Sequence, residues 1–113
     1  MATDLAVVEL ADRIRAALAD RPGIVEKKMF GAMAFMIDGN MLVAPMKGGN
    51  LLVRVGKHAH DAALARPGAQ PMTMGDRTMS GFVEVGGDVL EDDAALEEWI
   101  ARADAFVATL PPK

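Results

Sequence analysis

The residues best able to do chemistry in this chain are few and scattered. His58 and His60 lie two apart in a helix-like segment, where side chains at that spacing point to different sides. His58 with Asp61 could converge, but two ligands do not make a zinc site. The histidines read as solvated surface groups. Nine methionines raise copper(I), which soft thioethers suit, with Met33-x-x-Met36 and Met72-x-Met74 as the candidate pairs. Methionine is also a flexible core filler and a feature of adaptable binding surfaces. With no cysteine and no histidine beside either pair, that second use is favoured. Glu97-Glu98 lies opposite a Trp99/Ile100 stripe and reads as a solvent face, whereas catalytic carboxylates need burial or close pairing to tune them. Ser80, in Thr78-Met79-Ser80-Gly81, lacks nucleophile-elbow spacing. Gly48-Gly49 and Gly86-Gly87 lack phosphate-loop spacing and a following Lys-Ser/Thr. The expectation is a protein that is not an enzyme, with no cofactor and no catalytic or metal-binding residues.

Charge narrows the partners. Lys27-Lys28 could mark a phosphate contact, and Arg54, Lys57 and Arg66 could extend it into a modest basic patch. Adjacent strand residues face opposite ways, however, so the lysine pair is no clamp, and a solvated edge is the simpler reading. The net charge is −4, and the acidity is concentrated late: residues 57–113 hold five Lys/Arg against ten Asp/Glu, residues 1–56 seven against six. A domain that grips nucleic acid by itself usually shows the opposite balance, because phosphate neutralisation supplies much of the affinity. Direct nucleic-acid binding is therefore disfavoured. No apolar stretch approaches the ~20 residues of a membrane span. Met1-Ala2-Thr3-Asp4 has no basic leader region, and the absence of cysteine fits a reducing compartment. The reading is cytoplasmic, with no membrane partner.

The elements that must position these residues are legible in outline. The 113 residues make one domain, 1–113. A helix is expected over 4–20, capped by Thr3 or Asp4, with Val7, Leu10, Ile14, Ala17 and Leu18 as its buried stripe and Arg21-Pro22-Gly23 as its stop. Strands are expected over 24–30, 32–37, 41–46 and 51–55. Asp38-Gly39-Asn40 forms the first hairpin turn, and Pro45 marks an edge strand or a bulged end. A short helix over 58–65 follows, then a long loop with a brief strand over 66–79, a strand over 81–85 and a turn at Gly86-Gly87-Asp88. The last helix covers 92–110 with the clearest stripe in the chain: Leu96, Trp99, Ile100, Ala103, Phe106, Val107 and Leu110. This order favours an α+β two-layer sandwich, a mostly antiparallel sheet with helices on one face.

Strand alternation then singles out a surface. Met33, Phe35 and Ile37 point one way, Ala34 and Met36 the other. Leu51, Val53 and Val55 oppose Leu52 and Arg54; Met79, Gly81, Val83 and Val85 oppose Ser80, Phe82 and Glu84. With the first sets against the helices, Met36, Leu52 and Phe82 fall on the uncovered side, rimmed by Arg54 and Glu84. A half-solvated antiparallel sheet should be polar there, so an apolar patch marks a partner surface unless loops 47–50 and 66–79 fold over it.

The block from Glu26 to Met41 carries a family resemblance. Lys27-Lys28-Met29-Phe30-Gly31, followed by Phe35 and Gly39-Asn40-Met41, resembles the signature of the TfoX/Sxy N-terminal domain family. Arg54-Val55-Gly56, the segment from Arg66 to Met72, Met79-Ser80-Gly81-Phe82-Val83-Glu84-Val85, and Trp99 with Phe106 continue the match in order. Ala32 departs from it, standing where the family usually has a second glycine. The resemblance implies a two-layer fold similar to secretion chaperones and a link to competence regulation, with longer members acting as transcriptional co-activators beside a DNA-bound regulator. Those members carry a second, C-terminal domain, so the expectation here is a stand-alone N-terminal domain. No catalytic or ligand residues come with the family.

The reading is a regulatory protein-interaction module, related to transcriptional co-regulators of competence, with a protein partner or a second copy on the patch. The alternatives are a direct nucleic-acid binder using Lys27, Lys28, Arg54, Lys57 and Arg66, and a small-molecule sensor with a pocket near residues 66–79.

Overall fold

The computed structural model describes residues 5–29, 32–74 and 76–111, with side chains for all of these except Met29, Ala32 and Met74. Helix α1 (Leu5–Ala17) buries Leu10, Ala11 and Ile14. Leu18 N donates to Ile14 O and Arg21 N to Leu18 O, closing the last turn before Pro22. Ala17, expected in the stripe, is exposed, and Ala11 takes its place. The expected caps Thr3 and Asp4 lie outside the described residues.

Six strands follow: β1 (Ile24–Met29), β2 (Ala32–Ile37), β3 (Asn40–Pro45), β4 (Leu51–Arg54), β5 (Ala69–Met74) and β6 (Arg77–Val85). They form one antiparallel sheet in the order β1-β2-β3-β4-β6-β5. The β2–β3 turn is Asp38-Gly39, with φ of +53° and +80°. Two positive values define the tight turn whose twist suits a two-residue hairpin, which is why Gly39 stands there.

Two expectations about strands are corrected. Segment 66–79 is no long loop: β5 and β6 form a hairpin, paired from Ala69↔Val85 to Met74↔Arg77. Pro71 is tolerated within a strand because β5 is an edge and its register is bulged between Pro71 and Thr73, where a missing N–H donor costs no ladder bond. Pro45 marks no edge, since β3 lies inside the sheet; Pro45 ends the strand, opposite Leu51.

Three further helices complete the chain: α2 (His60–Leu64), α3 (Gly87–Leu90) in place of the expected Gly86-Gly87-Asp88 turn, and α4 (Asp93–Val107). Asp92 caps α4, its carboxylate accepting from Ala94 N at 3.0 Å. The predicted stripe is present, with Leu96, Trp99, Ile100, Ala103 and Val107 buried.

All the helices with described cores contribute to one side of the sheet. Leu10 and Ile14 of α1, Ala63 of α2, Leu90 of α3 and Trp99 and Ile100 of α4 share a single core with Phe35, Leu42, Val43, Leu51, Val53, Val83 and Val85. This is the α+β two-layer arrangement, with the second face of the sheet left open. No helix among the described residues is long and apolar enough to cross a membrane.

Candidate interaction surface

A second, smaller apolar cluster occupies the other side of the sheet. Ala34, Ala44 and Leu52 are its buried centre, and Met36, Met41, Met46, Met72 and Phe82 pack around them half-buried. Every member comes from a strand or, for Met46, from the residue after one. The partly buried state of the outer five means they shelter the centre while keeping part of their own surface in water.

Register explains which residues arrive here. Directly opposed residues of an antiparallel pair share a face, and the pairs Lys27↔Ala34 and Val25↔Met36, Met36↔Met41, Ala44↔Leu52, Leu52↔Glu84 and Arg54↔Phe82 all fall on the open side. The expected residues Met36, Leu52, Arg54, Phe82 and Glu84 are thus brought together. Val25 extends the apolar surface onto β1 and is 59% exposed.

The β3 contribution was not foreseen. The β2–β3 register shifts between Phe35 and Met36, pairing Phe35 with Val43 but Met36 with Met41. Leu42 is the extra residue, so Leu42 and Val43 both enter the helix-side core, while Met41 and Ala44 emerge on the open face. A bulge of this kind breaks simple alternation, and no composition signal marks it. Loop 47–50 does not cover the face: Lys47–Gly49 is a single tight turn closed by Met46 N donating to Asn50 O at 2.7 Å. Segment 66–79 widens the sheet at its edge and adds Met72 to the patch.

Polar groups frame the patch. The Arg54 guanidinium stands 5.7 Å from the Phe82 ring centre and 5.5 Å from that of Phe106, linking an open-face aromatic to one on α4. Contacts of this type contribute about 0.5–2 kcal/mol. Glu84 accepts from Asn50 Nδ2 at 2.7 Å, and Asn50 Oδ1 accepts from Gly87 N at 3.0 Å. His60 Nε2 lies 3.2 Å from Phe82 O, so the histidine steadies the strand carrying Phe82. His58 is exposed. Among the described residues no three His, Asp or Glu side chains converge as metal ligands.

The basic residues are not gathered. Lys27 and Lys28 are exposed on β1, β2 and β3 separate them from Arg54 on β4, and Arg66 pairs with Glu98 at 2.9 Å. A cleft of about 250 Å³ at the start of segment 66–79 is lined by Arg66, Pro67, Val89 and Trp99 on the helix side and not by the methionines. On that same side Arg15 hydrogen-bonds both oxygens of Glu26 at 2.5 and 2.7 Å, holding the Glu26 carboxyl below the usual range. Arg102, and then Arg66, do the same for Glu98.

The remaining signature residues have structural duties or are not described. Phe35 is fully buried in the helix-side core, Gly39 makes the hairpin turn, Met29 ends β1 opposite Ala32, and Phe30 and Gly31 lie outside the described residues. The sequence model of the TfoX N-terminal domain family matches residues 16–107, from the end of α1 through the whole sheet to the last residue of α4. The chain belongs to the TfoX N-terminal domain family. No curated protein matches the sequence. All five predicted surface residues lie inside the span that the family shares.

Proposed function

We propose that this TfoX N-terminal domain is a non-enzymatic regulatory module that acts by protein contact, through the open face of its sheet. The observation that carries this reading is the methionine-rich cluster of Ala34, Met36, Met41, Ala44, Met46, Leu52, Met72 and Phe82 on the face that none of the described helices packs against. Exposed contiguous apolar surface with a polar rim is a hallmark of partner sites, and methionine lets such a surface adapt to its partner. The family's link to competence regulation favours a role in transcription, beside a DNA-bound regulator. The scattering of Lys27, Lys28, Arg54 and Arg66 favours protein contact over contact with DNA, since phosphate binding needs the cations on one footprint.

The test is capture from native lysate with wild type and Leu52→Glu/Phe82→Glu in parallel. Proteins recovered by wild type and lost by the charged variant support the module. Recovery of the same proteins by both removes the open face from the argument. A salt-sensitive shift of DNA mobility by the purified domain would replace protein contact with direct binding.

A further inference from the structure

We propose that the partner of the open face is a second copy of this chain, stacked sheet to sheet about a two-fold axis lying along β3. This rests on the reading of the face as a contact surface and names its occupant. The open face is self-complementary across the sheet. Lys27↔Ala34, Ala44↔Leu52, Leu52↔Glu84 and Gln70↔Glu84 are register pairs, and Ala34 and Ala44 follow one step along from Phe35↔Val43. These residues form one rank running straight across the strands. It begins with a cation on β1, passes through small and apolar side chains, and reaches an anion on β6. Neither Lys27 nor Glu84 has an ion-pair partner among the described residues; Glu84 has only the neutral amide of Asn50.

In the strand order, β1 and β6 each stand two places from β3. A two-fold along β3, between two facing sheets, therefore lays β1 of one copy over β6 of the other, and β2 over β4. Lys27 then faces Glu84 of the second copy, twice. Ala34 faces Leu52, small against large, and Ala44 faces Ala44 at the axis, where the sheets must come closest. In the neighbouring rank Val25 faces Phe82, which gives the 59% exposed Val25 an apolar contact, and Met41 meets Met41. Packed sheets sit ~10 Å apart with strands about 30° askew, an angle that a two-fold inclined by ~15° to the β3 direction produces. At two strand spacings from the axis, ~10 Å, that angle displaces facing residues by ~5 Å, within reach of a lysine stem. The face is about five strands wide, which places the contact at the small end of specific interfaces, in the range of weak, reversible association.

The decisive experiment is sedimentation of the full chain from about 1 μM to about 1 mM. Wild type is expected to pass from monomer to dimer in this range. Lys27→Glu and Glu84→Lys alone each place like charges opposite one another and should weaken the dimer about tenfold or more. An equimolar mixture of the two variants should recover association, as a heterodimer in which both charge pairs are restored, one with its native polarity and one reversed. Recovery on mixing depends on contact between copies, so a mere folding defect in either variant cannot imitate it. A wild type that stays monomeric throughout overturns the proposal, as does a mixture no tighter than its components or a dimer unaffected by Leu52→Glu/Phe82→Glu. A monomeric wild type whose lysate partners are nonetheless lost in that last variant sinks the second copy while leaving the interaction module standing.

Discussion

Gly56 and Phe106 are in direct apposition: a Cβ built on Gly56 would lie 2.3 Å from Cδ1 of the Phe106 ring. Gly56 also has a φ of +82°, a conformation that costs an L-residue roughly 1–2 kcal/mol. Displacing a packed ring adds about 1–3 kcal/mol. Gly56→Ala should therefore lose roughly 2–5 kcal/mol in urea unfolding. The ring it displaces is also one of the two against Arg54. In a Phe106→Ala background the same substitution should cost only the backbone share, and a double-mutant cycle will show the difference as coupling.

Asn40 is the buried polar residue at the start of β3, 2% exposed, with Nδ2 donating to Pro111 O at 3.1 Å. This bond ties the segment after α4 to the first hairpin. Asn40→Ala should cost about 1–2 kcal/mol, because the Pro111 carbonyl loses its donor. Asn40→Asp keeps the shape but replaces a donor with an acceptor-only carboxylate, and should cost more than the alanine. Thermal melts order the three proteins; equal loss in both variants would detach the effect from the hydrogen bond.

Why the open face was readable while parts of the sheet were not follows from these same residues. Period-two alternation depends only on local geometry, so Met36, Leu52, Arg54, Phe82 and Glu84 could be assigned to one side before their strands were paired. The β3 residues Met41, Ala44 and Met46 escaped because the bulge at Leu42 arises from pairing with β2, a long-range event with no local mark. The β5–β6 hairpin escaped because Pro71 and the surrounding glycines argue for a loop, and only the position of β5 at the sheet edge makes the proline acceptable. On the helices, a heptad of apolar residues gave α4 almost residue for residue. In α1 the small side chains of Ala11 and Ala17 could not reveal which one faced the core.

Stability should fall on the acid side through two carboxylates. Hydrogen bonds from Arg15 lower the Glu26 carboxyl, and Arg102 with Arg66 lowers that of Glu98, both from an ordinary value of 4.5. A carboxyl whose folded-state value is depressed takes up protons more readily in the unfolded chain. Its contribution is complete above about 4.5 and disappears as pH falls through the folded value. The urea midpoint should thus drop as pH falls below about 5, and not near neutrality. Glu26→Gln with Glu98→Gln should flatten that limb. Because both groups lie at the surface, added salt should reduce the effect, and an acid limb of unchanged steepness in the double variant would assign it to other carboxylates.

Leu52 and Val53 are neighbours on β4 that face different worlds, and a carboxylate placed at each should separate them. Val53 is completely buried in the helix-side core, where an unpaired charge finds neither water nor a partner; Val53→Asp should abolish cooperative folding, since the cost of several kcal/mol rivals the whole stability of a small domain. Leu52 is only slightly more exposed, at 8%, but what covers it are Met and Phe side chains on the open face. A longer Leu52→Glu side chain can lift its carboxylate past them into water, so the fold should persist with a loss of about 1–2 kcal/mol. Far-UV circular dichroism and urea melts of the two variants make the comparison. Unfolding by both would mean that the open face is as essential to the fold as the core beneath it. Survival of Leu52→Glu alone would show that its apolar side chains are dispensable for folding and remain free to serve contact.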